Sequence, residues 1–402
     1  MKSLLPIFAF LLLLHSTPSS AQQQTFNKRM HLGFPSTVFT SIIATDSCYY
    51  VTGIITDSVP PYNDASIFIK FTLDGEPELV KALRDTVVSY STWAPVLQGI
   101  SEGNLLLSGQ SRDSTTKAIL IKYNTLGDTL FTRRYENYGQ DGLFIKLKAM
   151  AVDEAQSQYL LATEEVESES LNDADVVMTK IGENGEILWR KRLTSNNLNE
   201  IPHSAISWQD GSFIIGAQFN NTIVADFNYT CRDYLFAVDS AGNIEWQYLS
   251  PAGELRRGAT ALSPAGDGGL VVASGRGEEF NINPSRNGLR WHSGLVYKLD
   301  AQQQLEWEVE FIEPLPNSFY NRFNKIIRAS DGSGYLAAGL FVQGIPESLE
   351  ADLSGWLVKV SPDGDSLWSR ALRFFEPQDP YYWHHLYDIK ETADGGYIMV
   401  GQ

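Results

Sequence analysis

The chain has 402 residues, with 48 acidic and 31 basic side chains and a formal net charge of −17. Such a surface repels phosphate backbones and anionic headgroups, which excludes nucleic acid as an expected partner. Two cysteines are too few for a disulfide-built scaffold, so a chain of this length has to bury apolar cores or stack repeated units.

The chain opens with MKSLLPIFAFLLLLHSTPSSA, a lysine before an apolar run from Leu4 to Leu14, ending on Ser19-Ser20-Ala21. Residues 1–21 read as an export signal removed at a small-residue site, because the run falls short of the ~20 residues a spanning helix needs. No later segment is apolar enough to span a bilayer, so the protein is expected outside the cytoplasm, secreted or at the cell surface. TFNKRMHLGF, residues 25–34, follows and reads as a strand without a unit of its own.

From there the sequence repeats. A turn glycine is followed four residues later by a large apolar side chain at Gly75/Leu79, Gly127/Phe131, Gly185/Trp189, Gly242/Trp246 and Gly364/Trp368, and Gln303/Trp307 keeps the frame. Five residues before the turn position stand Lys70, Lys122, Lys180, Lys298 and Lys359, with Ala237 in the remaining copy. A second element, an apolar run closing on Gly53, Gly109, Thr163, Gly216, Gly275, Gly339 and Gly401, recurs every 53 to 64 residues.

Each period reads as four short strands. NRFNKIIRAS, YLAAGLF, GWLVKVS and SLWSRALRF are β-branched or aromatic runs bounded by Gly, Asp and Ser. No sustained helical period of apolar residues occurs beyond the signal. The expected fold is all-β: a single propeller domain over residues 22–402, with seven blades of four antiparallel strands. The turn glycine supplies positive φ for a tight hairpin, and the aromatic packs on the next blade, where a buried tryptophan removes roughly 150–250 Å² from water. Trp189, Trp246, Trp307 and Trp368 are the expected docking residues.

HLYDIKETADGGYIMVGQ ends the chain with two strands of a seventh unit. The ring is expected to close by pairing the N-terminal strand with these C-terminal strands, which hides sheet edges. Either the closing blade has three strands or the chain continues in a longer gene, and the second is the expectation, because a missing inner strand would leave backbone groups unpaired. Cys48 and Cys231 lie three repeats apart and are expected as small buried hydrophobes, with no bond between them.

DSAGNIEWQ, ENGEILWRKRL and SPDGDSLWSR, each followed by a DGG-aromatic-apolar strand, resemble the repeats of bacterial seven-bladed propellers. They are also similar to quinoprotein-like propellers with tryptophan-docking motifs. The resemblance covers nearly all of the chain after the signal, and exported propellers of this kind are often followed by a type IX sorting domain. It departs from the quinoproteins at two points. Asp239 to Gly242 is three residues where their docking motif has four, and no vicinal cysteine pair occurs. No cofactor is expected.

The second-to-third and fourth-to-first connections are long, as in RGEEFNINPSRNGLRWHS and FEPQDPYYWHHLYD, and a propeller places both sets on one face. Long loops on a rigid ring carry binding groups at little closure cost. The candidate binding residues are Trp93, His203, Trp291, His292, Tyr381, Tyr382, Trp383, His384 and His385, aromatics and imidazoles suited to sugar stacking or a protein hot spot. Packing beneath the loops is the alternative use of such aromatics. His384 and His385 are adjacent and point oppositely on a strand, and no convergent set of three or four ligands is evident, so no metal is expected. The acids of Asp363 and Asp365 suit a turn, and no complete calcium loop occurs.

No linear hydrolase, zincin or phosphate-loop signature is present. The expectation is a monomeric, non-catalytic propeller that binds a protein or polysaccharide through its long-loop face. The alternatives are a propeller hydrolase or lyase acting on polysaccharide, since carboxylates and histidines can converge above a channel without a linear motif, and a structural spacer in a larger surface adhesin.

Overall fold

The structure is a computed structural model that describes residues 28–402, apart from 31, 59, 61, 93–95, 139–143, 167–173, 194–198, 222–229, 252–255, 284–285, 313–317, 344–351 and 373–384. Blade 1 is β1 (Ser36–Ala44), β2 (Tyr49–Thr56), β3 (Asp64–Phe71) and β4 (Pro77–Leu83). Blade 2 has β5 (Ser89–Ser91) and β6 (Leu97–Gly99), which both pair with β7 (Leu105–Arg112), then β8 (Thr116–Tyr123) and β9 (Thr129–Tyr135). Blade 3 is β10 (Phe144–Asp153), β11 (Gln158–Val166), β12 (Ala174–Ile181) and β13 (Ile187–Leu193). Blade 4 is β14 (Asn199–Ser207), β15 (Phe213–Asn221), β16 (Thr230–Val238) and β17 (Ile244–Leu249). Blade 5 is β18 (Arg256–Pro264), β19 (Leu270–Asn283), β20 (Arg286–Leu299) and β21 (Leu305–Phe311). Blade 6 is β22 (Ser318–Arg328), β23 (Tyr335–Gln343), β24 (Asp352–Val360) and β25 (Ser366–Leu372). A last sheet holds β26 (Leu386–Glu391) and β27 (Tyr397–Gly401).

All pairs are antiparallel and, apart from β5 with β7, consecutive, and each sheet packs on the next. The two-stranded sheet touches β22 and β23 on one side and β1 on the other, which closes the ring. First strands contact first strands, so β1, β5/β6, β10, β14, β18, β22 and β26 surround the axis. Apolar clusters sit in the seams. Ala162 and Met178 meet Phe213 and Phe236 between blades 3 and 4, and Val271 and Val296 meet Phe323 and Trp356 between blades 5 and 6.

Two expectations are corrected. Six blades have four antiparallel strands, whereas the expected seventh is a two-stranded sheet among the described residues. The expected N-terminal closing strand is also not formed by the described residues of that stretch. Gly33, at φ 76°, turns the chain out of the extended region, and the Pro35 that follows has no N–H to donate to a ladder. Met30, Leu32 and Phe34 nevertheless lie against the blade 1 cluster that includes Ile398 and Val400, so side chains hold the segment in place.

In blade 3 the repeat lysine and aromatic act together, whereas Lys70 and Lys298 pair with acids of their own blades, Glu78 and Asp267 with Glu306. Lys180 and Trp189 are cross-strand partners, and both Lys180 Nζ (3.1 Å) and Trp189 Nε1 (2.9 Å) donate to the carbonyl of Ser240, in the β16–β17 turn of the next blade. Trp307 Nε1 likewise donates to the Pro362 carbonyl at 3.0 Å, in the turn of blade 6. Trp246 packs on the blade 5 cluster with Leu270 and Leu299, and Trp368 packs with Leu386 and Ile389 of the last sheet.

Candidate functional site

The innermost strands share a backbone defect. Pairing skips one residue between Phe39 and Ser41 in β1, Leu147 and Ala149 in β10, Pro202 and Ser204 in β14, Ala259 and Ala261 in β18, Phe323 and Lys325 in β22, and Leu386 and Asp388 in β26. In blade 2 the inner strand breaks between Ser91 and Leu97. A bulge leaves the extra residue out of the ladder and re-aims its side chain. The skipped residues are Thr40, Lys148, His203, Thr260, Asn324 and Tyr387, and those other than Thr260, of which only the backbone is described, form a polar collar around the axis.

The bulge also explains three of the six repeat glycines. A Cβ on Gly53, Gly339 or Gly401 would fall 2.0 Å from the carbonyl oxygen of Val38, Arg322 or His385 respectively. The second strand needs glycine there because the bulged first strand pushes its backbone into that space.

Two collar side chains stitch blades together. Thr40 Oγ1 donates to the Thr92 carbonyl at 2.7 Å, and Asn324 Nδ2 donates to the Leu386 carbonyl at 2.9 Å. The others form a chemically richer sector. Lys148 Nζ lies 3.0 Å from Glu164 Oε2, His203 Nε2 lies 3.4 Å from Gln218 Oε1, and the His385 ring stacks on Tyr387 with centroids 4.4 Å apart. Arg322 and His385 each stand two residues before the bulge of neighbouring inner strands, one step toward the long-loop face.

Burial lowers His203 to about 3; Lys148 and Arg322 add to the effect, and the Gln218 contact opposes it. His385 also falls to about 3, through burial and then Arg322. Burial raises the Tyr387 phenol, with Arg322 opposing. The guanidinium therefore acts on groups of blade 4 and of the last sheet together, and both imidazoles are neutral at physiological pH, able to donate and accept hydrogen bonds.

A pH dependence follows. Both folded values lie below the ordinary 6.5, so between pH 6.5 and about 3 the unfolded chain binds protons that the folded chain refuses. Stability is complete above that window and falls with pH inside it, by up to about 1.4 kcal/mol per pH unit for each histidine. Denaturant unfolding at pH 7 and pH 5 should show His203→Gln losing less stability than the parent over the same step. An equal loss would refute the assignment.

A second ionic group lies at the rim of blade 3. Arg192 sits 3.8 Å from Glu165 and 3.6 Å from Asp175, with its guanidinium over the Tyr138 ring. Glu165 also accepts from Tyr138 N at 2.8 Å and from Thr163 Oγ1 at 3.1 Å. These buried carboxylates are bound to donors and serve to hold the rim.

Of the residues singled out from sequence, His203 and His385 belong to the collar sector. Trp93, Tyr381, Tyr382, Trp383 and His384 lie outside the described residues, as does His31. Trp291 and His292 fall on β20, where the backbone is described but their side chains are not. RGEEFNINPSRNGLRWHS is thus largely a continuous hairpin of β19 and β20, corrected from a loop: Gly277 pairs with Trp291 and Asn281 with Asn287. Its polar residues mask the alternation of Phe280, Ile282, Leu289 and Trp291. Sequence reading missed Lys148, Arg322 and Tyr387. The available signal was a polar residue 13 to 15 positions before the repeat glycine or its substitute, in each blade whose inner strand is unbroken.

No family model and no curated protein matches the chain. Solved structures resemble it at low identity. A protein of unknown function from Dyadobacter fermentans is 10% identical, over 80% of this chain and 94% of its own, with a TM-score of 0.48. An α-L-arabinofuranosidase from Fusarium graminearum is 12% identical, over 81% and 93%, with a TM-score of 0.48. An apocarotenoid oxygenase from Synechocystis is 12% identical, over 90% and 74%, also at 0.48. None of these similarities carries an argument about ligand or chemistry. Among the described residues no three His, Cys, Asp or Glu side chains gather as a metal site, and no helix is long and apolar enough to cross a membrane.

Proposed function

We propose that the protein is an exported, non-catalytic propeller whose long-loop face binds a polysaccharide or a protein surface. The observation that supports this reading is the β19–β20 hairpin. It runs eight residues past Gly275, whereas second strands elsewhere run three to five past the equivalent position. At ~3.3 Å per residue its second strand is roughly 10–17 Å longer past that position than the described second strands of blades 1 to 4 and 6, with Trp291 on its returning strand.

The test is a glycan array and a pull-down with the full chain, repeated with Trp291→Ala and Trp383→Ala. Loss of an indole anchor should weaken binding at least about tenfold, or ~1.4 kcal/mol. Binding indifferent to both substitutions would overturn the proposal. New reducing ends or unsaturated products from a bound glycan would replace it with the hydrolase or lyase reading.

A further inference from the structure

The last sheet has an edge that the complete blades cover. β27 stands in the second-strand position, and among the described residues no strand pairs with its outer side. Gln402 exchanges both of its backbone bonds with His385, and the Gly396 carbonyl accepts from Thr392 N. Backbone groups alternate between the two edges of an antiparallel strand, so Tyr397, Met399 and Gly401 aim their N–H and C=O away from β26. Tyr397, Ile398 and Met399 are also part-exposed, whereas Tyr49, Tyr50 and Val51, their counterparts in β2, are buried.

The far side of this edge is marked by residues 28–34. Lys28 pairs with Glu76, which follows the blade 1 turn glycine, Gly75. Fourth strands elsewhere make that contact with the next blade: Lys81 of β4 pairs with Asp128, after Gly127, and Lys191 of β13 donates to Asn243, after Gly242. Lys28 therefore holds the fourth-strand position of the last sheet, and Met30, Leu32 and Phe34 continue against blade 1 at alternate residues. Second and fourth strands of a blade lie two ladder steps apart, each ~4.8 Å, so β27 and residues 28–34 flank the place of one strand.

Third strands in the complete blades are buried and apolar on both faces, as Ile119, Leu120 and Ile121 in β8 and Val176, Val177 and Met178 in β12 show. Residues 15–24, HSTPSSAQQQ, are polar with Pro18 among them and do not suit such a place. The ring also closes without it. Asp388 Oδ2 accepts from Ser41 Oγ and Ile42 N of β1, Ile398 and Val400 pack on blade 1, and Met399 packs with Leu386 against blade 6. An edge built in advance accepts a strand from outside by main-chain bonding. We propose that the last sheet takes its third strand from a second polypeptide: one extended segment of eight residues, the length of β3, β8 and β12, apolar on both faces and antiparallel to β27.

Fluorescence anisotropy of the full chain should use a labelled peptide ADVVMTKI, the third strand of blade 3, as its probe. The expected result is saturable binding, at least about tenfold weaker when the peptide carries Thr179→Pro, which removes one ladder donor. Met399→Pro in the protein should cause a similar loss, because that N–H points away from β26 and its removal spares the existing pair. Since this variant can disturb folding, amide exchange in the unmodified protein supplies an independent readout. Tyr397, Met399 and Gly401 should exchange readily in the free protein and gain at least about tenfold protection with the peptide.

Protection of those amides in the free protein overturns the inference, whether residues of this chain or residues following Gln402 in a longer gene product supply it. So does a peptide that fails to bind, or one that binds equally well with the proline and leaves the β27 amides unchanged.

Discussion

Asp388→Ala should lower the unfolding free energy by about 3–5 kcal/mol, the range for removing one member of a buried charged set. The carboxylate is 1% exposed and belongs to the two-stranded sheet, yet most of its partners lie elsewhere. Its Oδ2 accepts from Ser41 Oγ at 2.9 Å and from Ile42 N at 3.0 Å, both on β1, and Lys325 of β22 lies 3.7 Å from Oδ1. Ser41 Oγ in turn accepts from Leu97 N of blade 2 at 3.0 Å. One carboxylate therefore links blade 6, the closing sheet and blade 1, and through Ser41 reaches blade 2. Truncation leaves the two β1 donors, the Ile389 N–H that bonds Oδ1 at 3.0 Å and the ammonium groups of Lys325 and Lys390 facing a gap at the seam where the ring closes.

Asp388→Asn keeps an acceptor but loses the charge, and is expected near half that cost, since a neutral hydrogen bond is worth roughly half a charge-assisted one. Denaturant unfolding measures both, and amide exchange should localise the loss to β1 and β26. A change below about 1 kcal/mol for the alanine variant would show that the ring does not depend on this contact.

Much of this architecture was legible because the seam chemistry repeats at the blade period. Trp189 and Trp307 stand in the same frame relative to their turns, so a spacing read once predicts a contact many times over. Lysine at the fifth position before the turn was visible as a pattern but not as a partner of the tryptophan. Its purpose needs the cross-strand register, which brings Lys180 beside Trp189 although they are nine residues apart. The collar was hidden for a related reason. A bulge shifts the inside-outside alternation by one residue, so Lys148 and Tyr387 read as ordinary strand residues until the pairing is known, and His203 was chosen only as a histidine beside a long loop. Seven blades of four strands was too many because the recurring runs, six closing on glycine and one on Thr163, count first-and-second strand pairs and not the third and fourth strands, of which the last unit showed none. The long-loop residues were chosen by composition, which names a face and not a geometry.

The turn glycine opposite each docking ring was attributed to positive φ, and Gln303 shows that this is an incomplete account. It occupies the same position at φ 59°, in a turn closed by the same bond, from its own N–H to the Asp300 carbonyl at 3.0 Å. A side chain is therefore tolerated by the torsion. At Gly242, φ 78°, a Cβ would instead meet Trp189 Cη2 at 2.8 Å, and at Gly364 one would meet Trp307 Cδ2 at the same distance. Glycine is kept at these turns because an indole lies flat on it. Trp189→Ala should cost about 3 kcal/mol, the low end for a large aromatic because the ring is only part-buried, and Trp189→Phe about 1 kcal/mol for the lost donor. Gly242→Ala in the parent should cost about 2–3 kcal/mol, combining overpacking with left-handed strain. In the Trp189→Ala background the clash is gone and only the torsional part remains, about 1 kcal/mol. A double-mutant cycle on these two residues should therefore show a favourable coupling of at least about 1 kcal/mol. Additive costs would mean that turn torsion alone selects glycine, and that the indole docks without needing its space.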